Sequence, residues 1–228
     1  MSDDSNLPLV VGITGASGAV YAARLLQCLA ASKIPMHVVV SPSGAEVVRQ
    51  ELGLQLGANR KDITPLLQYC WPNSTRWPAI EPKQCVDFAS QIRVHEYSDY
   101  LTPIASGSFL TRGMVICPCS GSTLSGIVHA ASNNLIVRAA DVHIKEHRKL
   151  ILVPRETPLS SFYIQNMQRA SEAGAVVMPA SPGWYHQVES IVDLVDFIVA
   201  RILDHLKIPH TLMQRWGVPP AAMSKESQ

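Results

Sequence analysis

Short apolar runs alternate with amphipathic helical patterns along most of this 228-residue chain. The apolar runs predict strands at 9–14, 36–40, 92–96, 114–117, 150–153 and 175–178. Helices are predicted after most of these strands, at 19–31, 44–52, 122–131, 134–148, 160–173 and 191–206. Because consecutive parallel strands need helical crossovers, this order predicts an α/β fold with a three-layer, doubly wound parallel sheet.

The length suits a single domain spanning 1–228, with an α/β core at 7–208 and a C-terminal tail at 209–228. Residues 53–91 interrupt the alternation with prolines, tryptophans and little periodicity. We interpret them as a short helix within an irregular excursion, because they lack a hydrophobic core of their own.

Composition limits the partners of the chain. With a net charge of +1 and scattered Lys and Arg, it has no basic patch for nucleic acid or an anionic membrane. Only 16% of the residues are charged, which favours buried contacts between the subunits of a homo-oligomer. No run reaches the roughly 18 apolar residues that span a bilayer, and the chain does not begin with a secretory signal. We therefore expect a cytoplasmic protein with reduced cysteines.

The cysteines and histidines show no pattern typical of a metal site. Cys117 and Cys119 lack the two-residue gap of a zinc knuckle, and no second pair accompanies them. His143 and His147 lie one helical turn apart, but the residues between them do not match an H-E-x-x-H motif. We therefore expect no bound metal.

Ligands of a doubly wound sheet bind beyond the carboxyl ends of its strands, so the residues after each strand are candidates for the site. After the first strand, Gly12, Gly15 and Gly18 have a spacing that matches neither the dinucleotide fingerprint nor a P-loop. Such glycines let backbone amides approach an anion at a helix N-terminus. Ser17 either contributes a hydroxyl to that ligand or only caps the helix. After the second strand, Ser41 replaces the acid usual in dinucleotide enzymes, which favours a flavin over NAD.

The later junctions carry hydroxyls and cations. The turn after the fourth strand contains Ser120, Gly121, Ser122, Thr123 and Ser125, and a small polar turn around Ser106 precedes it. These groups either hold a second anion or polar ring, or only cap a helix. Arg138 and Lys145 lie seven residues apart on one predicted helix face, and Arg155 and Glu156 follow the fifth strand. Arg and Lys suit phosphate, although single arginines more often form surface salt bridges.

Several motifs, in this order, carry a resemblance that runs from about residue 10 to 216: VGITGASGAVYAARLL, ASGS, MVICPCSGSTLSGI, NNLIVRAADVHIKEHR, LVPRETP, PGWYH and VDFIVARIL. Together they resemble the flavin prenyltransferase family of the UbiX type. The resemblance implies a flavodoxin-like Rossmann fold and a dodecamer with sites between subunits. It also implies transfer of a dimethylallyl group from dimethylallyl monophosphate to N5 and C6 of reduced FMN, without a metal. The product, prenylated FMN, is the cofactor of UbiD-type decarboxylases.

The same resemblance implies roles for individual residues. The FMN-binding residues would be Gly15, Ala16, Ser17, Ser41, Ser106, Ser120, Gly121, Ser122, Thr123, Ser125 and Arg138. The prenyl-phosphate ligands would be Lys145, Arg155, Tyr185 and Arg201, and the aromatic shield of the prenyl group Tyr100 and Trp216. The catalytic residues would be Ser17, Glu51 and Glu156. We hypothesise that Ser17 and Glu156 relay protons around N5 and C6, while Glu51 orients the ring or the phosphate.

Three positions depart from the family pattern: Pro42 follows Ser41 where Lys is common, His147 interrupts a usually more basic run, and Tyr100 stands where relatives often carry Trp. They leave open whether the donor is a monophosphate or a diphosphate. Two other functions stay open as well. One is an FMN-dependent cysteine decarboxylase, although PCSGST stands where that group has a PASANT-like stretch. The other is a non-catalytic flavin carrier subunit of a decarboxylase.

Overall fold

The computed structural model describes residues 7–72, 74, 77, 87–185 and 188–213. Its strands are β1 (Leu9–Ile13), β2 (Met36–Val40), β3 (Ile92–His95), β4 (Gly113–Cys119), β5 (Leu150–Pro154) and β6 (Val176–Val177). Its helices are α1 (Ala19–Ala31), α2 (Pro42–Leu52), α3 (Thr64–Gln68), α4 (Gly121–Val128), α5 (Leu135–Lys145), α6 (Ser161–Glu172) and α7 (Ile191–His205). Short 3₁₀ turns lie at Ala58–Arg60, Ala89–Gln91 and Pro103–Ala105.

The six strands form one sheet in the order β3-β2-β1-β4-β5-β6, and every pair is parallel. The order reverses between β1 and β4, which places the switch point of the sheet beside the glycine loop that follows β1. The predicted doubly wound, flavodoxin-like α/β fold is thereby confirmed. A ligand-binding site is therefore expected at the carboxyl edge of the sheet, next to this switch point.

Alternate residues of each strand pack into two hydrophobic cores, one on each face of the sheet. Leu9, Val11 and Ile13 of β1 pack with α1 and α7 on one face, while Val10 points to the other face. There it joins the buried residues of α4 and α5. All five residues of β1 are buried, which is typical of a central parallel strand covered by helices on both sides.

The excursion packs against α1. Leu66 and Leu67 of α3 are fully buried in the same core as α1, as is Trp77. The Arg24 guanidinium lies 4.8 Å from the centre of the Trp77 ring and pairs with Asp196 of α7 at 2.6 Å. The predicted short helix is confirmed, and the described part of the excursion is covered by the main core.

Two helices are shorter than the periodicity predicts. The structure ends α4 at Val128 and α5 at Lys145, whereas the sequence predicts helix to 131 and 148. Ala130 and His147 both adopt positive φ, so the backbone leaves the helical conformation just after each end. The predicted tail from 209 onward lies largely beyond Met213, outside the described residues.

Candidate functional site at the carboxyl edge of the sheet

The loop between β1 and α1 is bound by an acid from another helix. Glu51, in the last turn of α2, accepts hydrogen bonds from the amides of Gly18 and Ala19 at 2.9 and 2.8 Å. These are the first free amides of α1, so the carboxylate occupies its positive end. Gly18, with φ of 112°, is the N-cap and receives no side-chain cap from Ser17. The capping interpretation of Ser17 is therefore wrong, and its side chain is exposed.

Close backbone packing holds this loop against the loop that follows β2. A Cβ added at Gly15 would lie 2.5 Å from the Cβ of Ser43, and one at Gly44 would lie 2.6 Å from the carbonyl oxygen of Ile13. Only glycine fits at either position without a shift of the backbone. The side chain of Ser41 is buried and accepts from the amide of Gly44 at 3.0 Å as the N-cap of α2. In this structure the Ser41 hydroxyl therefore holds α2 in place at the rim of the site.

Thr14 joins the ends of β1 and β4. Its hydroxyl donates to the carbonyl of Pro118 at 2.8 Å and accepts from the amide of Ser120 at 2.8 Å. The side chain is almost fully buried. This residue fixes the distance between the two junctions at the switch point, and the sequence analysis missed it. The signal was present, because a threonine at the end of a buried strand has a hydroxyl that requires a partner.

The turn after β4 presents a cluster of hydroxyls. The Ser120 hydroxyl lies 3.0 Å from that of Thr123 and 3.1 Å from that of Ser122, and it caps α4 through the amide of Thr123. Gly121 meets the ring of Tyr163 on α6: an added Cβ would lie 2.8 Å from it. The structure is thus compatible with a ligand-binding turn as well as with a helix cap. Ser120 caps α4, while Ser122 and Thr123 lie at the start of that helix, beyond the carboxyl end of β4.

A small cavity of about 100 Å³ opens beyond the ends of β5 and β6. Arg155, Glu156 and Tyr163 line it together with Met167 and Ala180. The Glu156 carboxylate accepts from the amide of Thr157 at 3.0 Å. Burial, followed by the nearby Cys119 and Glu156, raises the pKa of Tyr163 to about 12, so its hydroxyl stays protonated at neutral pH. The structure therefore brings Arg155 and Glu156 together in a partly enclosed site, next to a tyrosine that the sequence analysis did not single out.

Arg138 and Lys145 contact the same segment of chain, as their spacing predicts. The Arg138 Nε donates to the carbonyl of Ala105 at 3.1 Å, and its guanidinium pairs with Asp141 at 2.9 Å. Lys145 lies beside Gly107, where an added Cβ would be 3.1 Å from its Nζ. Ser106 therefore lies next to Lys145, at the end of α5 that leads into the start of β5. Along α5 this end is about 15 Å from the carboxyl edge at 1.5 Å per residue.

Three other proposed site residues lie in the described part of the chain. Tyr185 follows β6 and packs edge-on against Phe197 at 5.8 Å. The Tyr100 hydroxyl donates to the carbonyl of Ser132 at 3.2 Å. Arg201 lies in the last turns of α7 and pairs with Asp204 at 2.8 Å, away from the cavity lined by Arg155. Trp216 lies outside the described residues.

Within the described part of the chain, no group of three or more His, Cys, Asp or Glu side chains could hold a metal ion. None of its helices is long and apolar enough to cross a membrane. Burial raises the pKa of Cys119 to about 12 and that of Cys117 further, so both stay protonated thiols.

The strand order and the amide- and hydroxyl-lined switch point define a flavin-binding α/β protein, and the family model described as Flavoprotein matches residues 1–203. The flavin prenyltransferase UbiX of Pseudomonas aeruginosa is 44% identical over 92% of this chain and 93% of its own length. The chain therefore belongs to the UbiX flavin prenyltransferase family.

Solved structures agree with this assignment. The crystal structure of AnUbiX (PadA1) in complex with FMN and dimethylallyl pyrophosphate is 32% identical with a TM-score of 0.76. It covers 93% of this chain and 98% of that one. A dodecameric, FMN-dependent UbiX-like decarboxylase from Escherichia coli O157:H7 is 35% identical with a TM-score of 0.71, over 90% of this chain and 97% of that one.

Proposed function

We propose that this protein transfers a dimethylallyl group from dimethylallyl monophosphate to N5 and C6 of reduced FMN. The observation that carries this proposal is the row of groups along the carboxyl edge: the Gly18 loop with the Glu51 carboxylate on its amides, the Ser120 turn, which Thr14 joins to that loop, and the Arg155–Glu156 pair. One part of the row is rich in hydroxyls and backbone amides, and the other part carries a cation and a carboxylate. A flavin and a phosphorylated prenyl donor need such a combination.

The part of the row that is rich in hydroxyls and amides fits FMN. Gly15 lets the loop after β1 pack directly on Ser43, and the Ser120 turn offers hydroxyls and free helix amides to polar ring or ribityl atoms. When reduced, FMN supplies the nucleophilic ring atoms. Gly15, Ala16, Ser17, Ser41, Ser106, Ser120, Gly121, Ser122, Thr123, Ser125 and Arg138 stay our proposed FMN ligands. Ser41 would act through α2, because its hydroxyl caps that helix.

We assign proton handling to three side chains. Ser17 is exposed in the loop whose next two amides bind the Glu51 carboxylate, so Glu51 fixes the backbone on which Ser17 would face the flavin near N5, and it would orient the flavin edge there. Glu156 lines the cavity, so its carboxylate can face a ligand bound there. It would take the proton released at C6 when the new ring closes. General acid–base groups must lie within hydrogen-bonding reach of the proton that they move, which a carboxylate at this edge can do.

The proposed phosphate ligands are spread over one chain. Lys145 ends α5, Arg155 follows β5, and Arg201 lies on α7 one turn after Phe197, on which Tyr185 packs. We propose that neighbouring copies complete the phosphate site. Large apolar side chains are exposed on the described surface, with Leu101 at 97%, Phe162 at 75% and Trp184 at 71%, which supports extensive contacts between copies. The homo-oligomer would be a dodecamer like the UbiX-like relative. Tyr100 and Trp216 would shield the prenyl group.

The test is anaerobic incubation of the purified protein with reduced FMN and dimethylallyl monophosphate, followed by mass spectrometry of the flavin. A gain of one dimethylallyl group supports the proposal, whereas unchanged FMN supports the carrier or the cysteine decarboxylase. A parallel reaction with dimethylallyl diphosphate decides between the two donors.

We further propose that a UbiD-type decarboxylase receives the product and that the protein works in the cytoplasm. The first part is tested by adding the reaction mixture to an apo-decarboxylase of that type and measuring CO₂ release. Fractionation of cells that produce the protein tests the second part.

A further inference from the structure

Two residues that line the cavity beyond β5 each carry a buried donor without an acceptor. Among the described residues, the Tyr163 hydroxyl and the Arg155 Nε are buried polar atoms without a hydrogen-bond partner. Tyr163 is 8% exposed, and both residues line the same cavity. An unsatisfied buried donor is costly, so native structures almost always supply a partner from the protein, water or a ligand.

The Glu156 carboxylate also lines the cavity. It accepts from the amide of Thr157 and makes no hydrogen bond with either donor. The cavity holds about 100 Å³, roughly three times the volume share of one water in the liquid. That is enough for the oxygens of one tetrahedral oxyanion. The cavity therefore has room for a small acceptor group with several oxygens.

The ring of Tyr163 is fixed in place by packing. It lies against Gly121 at the N-terminus of α4, where an added Cβ would be 2.8 Å from the ring. The Ser160 hydroxyl, the N-cap of α6, accepts from the Tyr163 amide and so fixes the backbone. The hydroxyl is therefore held in one position, and its raised pKa of about 12 keeps it a donor at neutral pH.

We propose that Tyr163 is a further ligand of the phosphate group, donating its hydroxyl to a phosphate oxygen that also accepts from the Arg155 Nε. The phosphate comes either from the prenyl donor or from free phosphate released after transfer. This inference rests on the proposed function for the identity of the donor, but binding of phosphate to the cavity can be measured without turnover. Tyr163 is a residue that the family resemblance did not assign.

The test compares Tyr163→Phe with wild type by isothermal titration calorimetry. The full-length protein is saturated with oxidised FMN, so that no prenyl transfer occurs, and is titrated with dimethylallyl monophosphate or inorganic phosphate. Tyr163→Phe removes only the hydroxyl and keeps the ring on Gly121. Tyr69→Phe is the matched control, because its ring packs on Trp77 on the other face of the sheet. We expect Kd to rise about ten- to hundredfold in Tyr163→Phe, the range for a hydrogen bond to a charged group, and to stay unchanged in Tyr69→Phe.

The pattern of losses identifies the source of the phosphate. Weakening with both probes, or with either one alone, supports the site and names its ligand. Equal affinity of Tyr163→Phe and wild type for both probes overturns it, since the cavity then holds only water. FMN affinity should not change in Tyr163→Phe, and KM for the prenyl donor should rise while kcat changes less.

Ala180→Leu is a second variant that does not depend on Tyr163. It fills the cavity without removing either donor, and it should weaken phosphate binding as well. Phosphate affinity equal to wild type in this variant would count against the cavity as the binding place. If wild type binds phosphate through Tyr163 but leaves FMN unmodified, the proposed function fails and the inference stands. If wild type prenylates FMN and Tyr163→Phe retains its KM, only the inference fails.

Discussion

Thr14 offers the sharpest test of how the site is held together. Its hydroxyl is the single side-chain group in both hydrogen bonds that join the ends of β1 and β4, to Pro118 and from Ser120. Thr14→Val has nearly the same shape but removes the hydroxyl. The carbonyl of Pro118 still accepts from the Thr14 amide at 3.2 Å, so the unsatisfied group left behind is the Ser120 amide.

The size of the effect follows from that one amide. A buried donor without an acceptor costs about 1–3 kcal/mol, so we expect a loss of about 2 kcal/mol of unfolding free energy. In a chain of this length that lowers Tm by about 4–8 °C. Since the Ser120 turn is no longer fixed to β1, FMN should also bind several times more weakly.

Thr14→Ser is the matched control, because it keeps both hydrogen bonds and loses one methyl group, worth about 0.8 kcal/mol. Thermal unfolding is followed by circular dichroism at one protein concentration, with and without FMN, and FMN affinity by flavin fluorescence. The Val variant should be the less stable of the two and the only one with weakened FMN binding. A Val variant at least as stable as the Ser variant would refute the assignment of Thr14 as the link between the two junctions.

Three other outcomes follow from the contacts described. Glu156→Gln should yield flavin that gains the dimethylallyl mass without the absorbance of the closed fourth ring. The control Glu172→Gln, on the exposed end of α6, should behave as wild type. Normal ring closure in Glu156→Gln would refute the role of Glu156 in proton transfer. Asp196→Ala leaves the buried Arg24 charge without its carboxylate and should cost about 3–5 kcal/mol in denaturant unfolding, and an added Arg24→Met should recover much of it. Burial, then neighbouring His and Arg cations, lowers the pKa of His37 from 6.5 to about 4, so the folded state binds this proton less than the unfolded state does. The contribution of neutral His37 to the unfolding free energy is therefore complete above pH 6.5 and is lost as the pH drops toward 4. His37→Gln should flatten that part of a pH–stability curve.

Local patterns sufficed to predict the sheet and most helices. Buried parallel strands such as β1 are continuous apolar runs, and α1 shows helical periodicity, so each can be recognised without its neighbours. The ends of α4 and α5 were predicted too late, because the amphipathic pattern continues past residues that adopt positive φ. Backbone conformation at one residue is too local a property for a periodicity to reveal.

The sequence indicated which residues carry hydroxyls at the candidate site, but not whether each hydroxyl caps a helix or faces a ligand. Ser41 and Ser17 both follow strands and both carry a hydroxyl, so the sequence permits each to cap a helix or to face a ligand. The structure separates them: Ser41 caps α2, whereas the N-cap of α1 is Gly18 and a carboxylate from α2 binds the amides there. That carboxylate belongs to Glu51, 33 residues away from Gly18. Contacts at such separation are set by the packing of α1 on α2, which no local pattern contains.

The same reasoning explains why the sequence indicated which cationic residues are candidates for a phosphate site but not where in the fold they lie. The family resemblance assigns Lys145 and Arg155 to one phosphate site, although one helix end and one strand separate them in the sequence. A helix that begins at the carboxyl edge must end near the opposite edge for β5 to run parallel, and Lys145 is carried there with it. The topology that creates the flavin edge therefore removes Lys145 from it within one chain. The proposed phosphate site can therefore use both residues only if a second copy of the protein supplies one of them.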